Sequence, residues 1–467
     1  YSLMGGKDNR DVQVLDDQAT NAIRGSYSLT WGETNKTWAK YSITTGISNK
    51  AGGDYSAVFG ESNENGVNFS ATSTSVAKWN LISGQSNIAY NAEHSILVGY
   101  KNVVGEASIT VANSGNYCGA FGQENKVYGK HSFAFGYNNV IAADSVASNV
   151  FGQNNTLYNE TNYSLVSGKD HNVQGGTTPL GGDGVRGFSL VTGRGNTASG
   201  SFATLLGALN SATSKYVTLI GKSNSSSGWQ DFLVGDNNNS TYTNTGASEG
   251  GNNVSFGKQN SHKAKYGFTQ GDYNQITSAA DHGFVHGSYG VARNPYEVVY
   301  SVANFNVSLG GKDQVSEIVM MGKSVNEDWV TLGVGTDFGG TTSKGWIPPI
   351  NVRGYLIANV NHVTNESGYS HQVLTYAQTF STDANRTVTF GTKAAGVLHM
   401  TMNAAQEFTR TGFADSPINS TNTGFVQRPG PNETDDGQIR FHLNTDSTTQ
   451  SESRAIAHVK IIMCESF

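Results

Sequence analysis

The feature that most constrains the fold is a short motif that recurs along most of the chain. Its core is Gly-x-x-Asn, preceded by five residues in which apolar and small polar side chains alternate, as in "HSFAFGYNN" (131–139). Copies are 14 residues apart in seven intervals and 15 or 16 apart in four more. Helical repeats need about 33 residues or more, so this period excludes them. It fits two short strands and two turns, which make one coil of a narrow parallel β-solenoid.

Each part of the motif predicts a local conformation. The alternation predicts a strand with Phe133 and Phe135 on one face. Ser132 and Ala134 then lie on the other face. The glycine predicts a turn with positive φ or a close backbone approach, and stacked asparagines predict a ladder of side-chain amides. The predicted ladder comprises Gly46, Asn49, Gly60, Asn63, Gly122, Asn125, Gly136, Asn139, Gly193, Asn196, Gly207, Asn210, Gly221 and Asn224.

Two interpretations of the asparagines are open. They could supply oxygen ligands to calcium or another ligand, or they could be structural. The known calcium-binding β-roll repeat has nine residues and carries aspartate, unlike this one, which favours the structural interpretation. We expect no metal and no cofactor.

The solenoid is expected to form a homotrimer. A 14-residue coil has room for two or three inward side chains, yet many copies are apolar on both strand faces. A surplus apolar face indicates a partner, and another copy of the chain is the simplest one. Phe133 and Phe135 are therefore expected to fill the roll or the seam between chains.

Some copies are separated by insertions. Five intervals are 22 to 26 residues long, which predicts loops that leave the solenoid and contact a partner or brace neighbouring chains. The chain also begins inside a copy, "YSLMGGKDN" (1–9), so we expect the natural polypeptide to continue upstream. The polar, Gly-rich insertions include residues 64–78, 103–115, 173–187 and 239–251.

Composition narrows the class of protein. The chain has 57 glycines and 47 asparagines, and only 14% of its residues are charged. Abundant aromatic residues with little charge argue against disorder, and the net charge of -6 gives no sign of nucleic-acid binding. Cys118 and Cys464 are too few and too far apart for a disulfide framework. No apolar stretch has membrane-spanning length, and no signal peptide is recognisable.

The motif stops near residue 335, and longer alternating strands follow. We predict a shaft over residues 1–335, a connector over 336–350, and a β-sandwich over 351–467. This module would cap the last coil and form a distal tip. Aromatic and polar side chains in or beside its loops suit glycan or protein recognition. The predicted receptor-binding residues are Trp346, Tyr355, Tyr369, His371 and Arg428.

Catalytic chemistry has little support. His282 and His286 could share one strand face and meet a metal, but they also fill ordinary positions of the repeat. Acidic residues such as Asp170 and Asp236 recur after turn glycines, and nothing selects a pair of carboxylates for glycoside hydrolysis. No nucleophile elbow, phosphate loop or zinc spacing occurs. We predict no catalytic residues and no enzyme activity.

The segment "FSLVTGRGNTASG" (188–200) resembles the YadA-like head repeats of trimeric autotransporter adhesins, and the resemblance covers roughly residues 1–335. It implies a left-handed parallel β-roll that trimerises side by side. The chain departs from that pattern in its asparagine after the glycine, its aromatic residues before it and its long insertions.

The leading functional prediction is a trimeric fibre of a bacteriophage virion whose C-terminal tip binds a glycan or protein on the host cell surface. Its other expected partners are virion proteins upstream, with no nucleic-acid binding and no membrane insertion. The alternative is the head of a bacterial trimeric autotransporter adhesin, and a third interpretation is a tailspike that degrades polysaccharide.

Overall fold

The structure is a computed structural model composed of strands and turns, with no α-helix among the residues it describes. The chain divides into two compact units, Tyr1–Gln230 and Asp231–Phe467. The described residues are 3–8, 10–11, 27–66, 77–106, 115–158, 161–174, 188–242, 251–301, 313–324, 329–334, 345–364, 370–402, 408–412, 424–427, 439–444 and 453–465.

Each coil of the first unit contains a long strand of five residues and a short strand of two. The long strands are Leu3–Lys7, Leu29–Glu33, Ile43–Ile47, Ala57–Glu61, Leu81–Gln85, Ile96–Tyr100, Gly119–Gln123, Phe133–Tyr137, Asn149–Gln153, Leu165–Lys169, Leu190–Arg194, Thr204–Ala208 and Thr218–Lys222. The short strands are Arg10–Asp11, Lys36–Thr37, Lys50–Ala51, Glu64–Asn65, Ile88–Ala89, Val103–Val104, Lys126–Val127, Val140–Ile141, Thr156–Leu157, Asn172–Val173, Thr197–Ala198, Ser211–Ala212 and Ser225–Ser226.

Successive coils pair in parallel and keep one register. Phe133–Tyr137 pairs with Gly119–Gln123 on one side and with Asn149–Gln153 on the other. In both pairings the motif glycines lie opposite one another. The short strands form a second parallel ladder in the same way. The predicted all-β parallel β-solenoid is confirmed, with coils of about 15 residues where 14 were predicted.

The insertions do not disturb this register. Ala57–Glu61 pairs with Leu81–Gln85 across an insertion, with Gly60 opposite Gly84. The central residues of the four predicted loops lie outside the described residues, at 67–76, 107–114, 175–187 and 243–250. In each case the described chain stops one or two residues after a short strand. The insertions therefore enter at one recurring corner of the coil.

Five side chains of a coil point inward, more than the two or three expected. In the coil that contains Phe133–Tyr137, the buried ones in chain order are Ser132, Ala134, Asn139, Ile141 and Ser145. In most other coils the corresponding positions hold small or polar side chains, or one branched aliphatic side chain. The interior is consequently half polar, and its polar groups must be hydrogen-bonded.

The prediction that Phe133 and Phe135 fill the roll is wrong, because both side chains lie on the outside. Phe133 is 36% exposed, and Phe135 stacks on Phe121 and Phe151 with ring centroids 4.6 and 5.0 Å apart. The two ladders of such a narrow coil approach too closely for phenylalanine, so the strand turns its smaller face inward. A place for these rings in a seam between chains stays a prediction.

The second unit begins with further coils of the same kind. The long strands pair in parallel, with motif glycines opposite one another as far as Gly287. The long strands are Phe232–Asp236, Val254–Lys258, Phe268–Asp272, Phe284–Ser288 and Val298–Ser301, and the short strands are Asn239–Ser240, Ser261–His262, Gln275–Ile276 and Val291–Ala292.

Long antiparallel strands follow the coils. Ser453–Glu465 lies between Gln314–Ser324 and Val352–Thr364. Ser370–Thr382 pairs with the far side of Val352–Thr364, and Val388–Met402 continues the sheet. The remaining strands are Trp329–Val334, Phe408–Gly412, Gly424–Gln427 and Ile439–Asn444. One apolar core contains side chains from this sheet and from the strands Trp329–Val334 and Ile439–Asn444. The arrangement of these strands as a β-sandwich stays a prediction.

The described parallel pairing runs to Val298–Ser301, earlier than the boundary predicted near residue 335. Gln314–Ser324 pairs antiparallel with this last strand and covers its edge. The Gln314 side chain covers the edge of the last short strand, Val291–Ala292, in the same way. Its Nε2 donates to the carbonyl oxygen of Val291 at 3.1 Å, and its Oε1 accepts the Val291 N–H at 3.0 Å. Both ladders are thus capped, as a solenoid end requires.

The asparagine ladder also ends in this coil. Gly290 stands at the ladder position, and its N–H donates to Asn274 Oδ1 at 2.9 Å. A Cβ atom at Gly290 would lie 2.6 Å from Val285 Cγ1. The side chain of Val285 would therefore crowd an asparagine at this position.

Candidate interaction surfaces

The motif asparagines form a ladder of buried amides. The Nδ2 of Asn139 donates to Asn125 Oδ1 at 2.9 Å and to the carbonyl oxygen of Gly152 at 2.8 Å. It also lies 3.2 Å from the carbonyl oxygen of Phe135. Its Oδ1 accepts the backbone N–H and the Nδ2 of Asn155, at 3.2 and 2.9 Å. Each amide therefore joins three successive coils.

Most of the other predicted ladder positions also bond their amides from coil to coil. Asn63 Nδ2 donates to Asn49 Oδ1 at 3.1 Å, and Asn224 Nδ2 donates to Asn210 Oδ1 at 3.2 Å. These amides point into the coil and present no oxygen at the surface for a ligand. The adjoining glycines form a second column, with φ between +110° and +120° at Gly46, Gly60, Gly122, Gly136, Gly193, Gly207 and Gly221.

His171 occupies one place in the ladder, where the sequence pattern pointed to Asn172. Its Nδ1 accepts the Asn196 N–H at 3.1 Å, and its Nε2 lies 3.1 Å from the carbonyl oxygen of Ser167. The proton therefore belongs on Nε2. Burial lowers the pKa of His171, and hydrogen bonds to Ser167 and other backbone groups oppose that shift in part.

A second buried histidine lies inside a coil of the second unit. His262 Nε2 lies 2.9 Å from Thr269 Oγ1, which donates onward to Ser255 Oγ at 2.9 Å. His262 Nδ1 has no hydrogen-bond partner. A Cβ atom at Gly267 would lie 2.7 Å from that nitrogen, so the glycine leaves room for the ring. Burial lowers the pKa of His262 from 6.5 to about 3.

Acid is therefore expected to destabilise the second unit through His262. Between pH 6.5 and 3 the unfolded chain binds a proton that the folded chain excludes, so the free energy of unfolding falls as pH falls. The loss is about 1.4 kcal/mol per pH unit. The measurement is the melting temperature between pH 7.5 and 4.5 for the wild type, His262→Gln and His286→Gln, a control at an exposed histidine. Equal pH dependence in all three proteins would rule this out.

The residue five positions before the motif glycine forms an aromatic column along the first unit. Neighbouring rings are stacked with centroids 4.7 to 5.5 Å apart, and each backbone has φ between +54° and +61°. A bulky residue there carries strain of about 1–3 kcal/mol, which stacking offsets in part. The ring faces cover one another, so the column presents ring edges and hydroxyls rather than faces. The described members of its longest unbroken run are Tyr27, Tyr41, Tyr55, Trp79, His94, Tyr117 and His131.

In the second unit the same repeat position places His282 between Tyr266 and Tyr296, with both ring centroids 4.6 Å away. His286 lies in a long strand, with Nδ1 3.3 Å from Gln270 Oε1. The structure thus uses both histidines within repeat positions. Among the described residues, no group of three or more His, Cys, Asp or Glu side chains could hold a metal ion.

The outer face of the long strands is an apolar surface that recurs from coil to coil. We use this name for the first and third residues of each long strand, which point away from the coil interior. Several short strands carry charge on their outer side, for example the pair Lys50–Glu64, with Nζ and Oε2 3.4 Å apart. Exposed apolar patches of this extent mark interaction sites. Exposed apolar members in the first unit are Leu3, Trp31, Ile43, Leu81, Ile96, Val98, Phe133, Phe151 and Leu165.

Trp346 does not fit the predicted receptor contact, because its ring is buried, with 1% exposure. It packs edge-on against Phe380 at 5.8 Å, and its Nε1 lies 3.5 Å from Glu297 Oε1. Its backbone N–H and carbonyl both bond to Ile439 at 2.8 Å. The tryptophan thus fastens the connector to the C-terminal core.

The other predicted receptor residues are placed differently. Tyr355 is 42% exposed and points outward from the antiparallel sheet. His371 lies in the strand Ser370–Thr382, but its side chain is not among those described. Tyr369 and Arg428 lie outside the described residues.

Cys118 is a free, buried thiol in an interior position that serine holds in most coils. Its Sγ lies 2.8 Å from the carbonyl oxygen of Gly129, and burial raises its pKa to about 12. The thiol therefore stays protonated and unreactive.

Together these features define the class: a parallel β-solenoid with an antiparallel C-terminal sheet and one apolar outer face. The chain matches no protein-family model, and no curated protein matches it. No helix in the described part of the chain is long and apolar enough to cross a membrane.

Proposed function

We propose that the protein is a structural, homotrimeric fibre of a phage virion, with a C-terminal tip that binds a glycan or protein on the host cell surface. The observation that carries the proposal is the outer face of the long strands. It is apolar in coil after coil, whereas the outer side of the short strands is mixed, with charged side chains such as Lys50 and Glu64 beside uncharged ones such as Thr156.

A second copy is the partner that best fits this face. Parallel strands repeat about every 4.8 Å, so the face offers columns of side chains at that spacing. Another copy offers the same spacing, and a closed cyclic assembly buries the face on every chain. A virion location, with further virion proteins upstream, belongs to this proposal.

The repeat pattern "FSLVTGRGNTASG" (188–200) favours a second candidate, the head of a trimeric autotransporter adhesin on a bacterial surface. Both candidates require the trimer. A polysaccharide-degrading tailspike is the enzymatic alternative, and it predicts new reducing ends when the protein is incubated with host polysaccharide. We expect none.

The trimer is tested by native mass measurement at micromolar concentration, where the wild type is expected to have three times the chain mass. The double variant Phe135→Lys/Phe151→Lys places charges on the outer face of the long strands and is expected to dissociate at a urea concentration at least twofold lower. Its matched control, Val140→Lys/Thr156→Lys, changes the short strands of the same two coils and should behave as the wild type. A monomeric wild type would contradict the proposal.

A further inference from the structure

The outer surface of the antiparallel sheet continues the outer face of the long strands. Val298 and Tyr300 of the last coil lie beside Glu317 and Val315 of the next strand. Val315 in turn lies beside Ile462. All five residues alternate with buried neighbours and therefore point outward. Within the second unit one surface thus extends from the coils onto the C-terminal strands.

We call this extension the C-terminal outer face. It comprises the outward residues of Gln314–Ser324, Ser453–Glu465, Val352–Thr364 and Ser370–Thr382. Exposed apolar side chains recur on it, with exposures of 40% for Val319, 42% for Tyr355 and 44% for Ile456. Its described outward residues are Val315, Glu317, Val319, Met321, Ile456, His458, Lys460, Ile462, Arg353, Tyr355, Ile357, Asn359, Asn361, Thr375, Ala377, Thr379 and Ser381.

The charged side chains of this face are compatible with burial. Glu317 lies between two basic residues, with Oε2 3.5 Å from His458 Nε2 and Oε1 3.8 Å from Lys460 Nζ. Asn359 Oδ1 accepts the hydroxyl of Thr375 at 3.1 Å. These polar groups are paired within the chain and need no counter-charge from a partner, whereas Arg353, also on this face, makes no ion pair with the described side chains.

The area of the face suits a stable interface. Four strands about 4.8 Å apart and about 12 residues long cover roughly 750 Å². A standard interface needs about 800 Å² from each partner. Together with the outer face of the long strands, this surface has a larger area than transient contacts bury.

We infer that the C-terminal outer face is the continuation of the seam between copies, so that Tyr355 packs against a second copy of this chain rather than against a receptor. The inference rests on the proposed homotrimer. We expect one continuous surface to contact one partner. The regular spacing of the coils favours a partner whose strands have the same spacing. The antiparallel strands then hold the copies in axial register at the end of the solenoid, and recognition is left to other parts of the C-terminal module.

The test is thiol labelling of reporter cysteines, one added per variant, in the full chain carrying Cys464→Ser and the native Cys118. Cys118 is buried and stays silent. Tyr355→Cys is expected to react with a maleimide at least tenfold more slowly than Ala384→Cys, a control in an exposed turn. Ile456→Cys gives a second reading of the same face should the first variant fail to fold. In guanidinium all three should react alike.

The outcomes separate the two proposals. Suppose that native mass shows a trimer, yet the Tyr355→Cys and Ile456→Cys variants react as fast as the Ala384→Cys control. That result overturns the seam assignment alone and returns Tyr355 to the candidate receptor surface. A monomeric wild type overturns the homotrimer, and the seam with it.

Discussion

Replacing Gly136 with alanine is expected to destabilise its coil by about 4 kcal/mol, the sum of backbone strain and overpacking. The φ of Gly136 is +120°, which L side chains rarely adopt, and an added Cβ would lie 2.0 Å from the carbonyl oxygen of Gly152. That oxygen belongs to the paired backbone of the next coil and accepts a bond from Asn139, so it cannot move alone. Chemical denaturation followed by far-ultraviolet circular dichroism measures the loss.

Gly195→Ala is the matched control. Gly195 has φ of +62°, and its added Cβ would meet only the end of the Leu209 side chain, at 3.0 Å. Asn138 and Asn154 occupy the corresponding position in other coils with positive φ. We expect a loss of about 1 kcal/mol, the usual cost of the left-handed region for alanine. Similar midpoints for both variants would show that the close contact between glycines is not limiting.

Asn139→Asp is expected to cost about 3–5 kcal/mol at neutral pH, as an uncompensated buried charge does. The new carboxylate oxygen would replace an N–H group that faces Asn125 Oδ1 and the carbonyl oxygen of Gly152. The acid form can donate to one of them, so folding raises the pKa of the new carboxyl group. The lost stability should therefore return in part as pH falls toward about 4, the ordinary pKa of an aspartate, while Asn139→Ala shows no such recovery.

Asn138→Asp separates this effect from a general intolerance of charge. Asn138 is exposed and its Nδ2 donates to Asn154 Oδ1 at 3.1 Å, in a row that continues to Asp170. An aspartate already stands in that row, so we expect a change within about 0.5 kcal/mol. Equal losses at residues 138 and 139 would contradict the structural role assigned to the ladder.

The repeat period was sufficient to predict the solenoid, because few folds fit 14 residues. It could not decide which strand face turns inward. In the segment "SFAF", Phe133 and Phe135 form the more apolar face, yet the narrow coil accepts only Ser132 and Ala134. Periodicity identifies two faces, whereas the width of the coil chooses between them.

The aromatic column and the end of the solenoid show the same limit. Aromatic residues recur five positions before the glycine, and this signal was visible in the sequence. Their positive φ was not, because that region favours glycine and asparagine. The sequence also has a looser copy of the motif at Gly322, with Asn326 one residue late, but Gly322 belongs to the antiparallel strand Gln314–Ser324. The absence of a ladder asparagine at Gly290 was the better marker of the end of the solenoid.

The common corner at which the insertions enter has a consequence for how such a chain can change. Gly66 and Ala77 flank one insertion, and the coils before and after it still pair with each other. Segments of different length and composition can therefore be exchanged at this corner while the strand register is preserved. The ladders require the same strand register in every coil. Because the corner lies outside the paired strands, sequence variation can accumulate there.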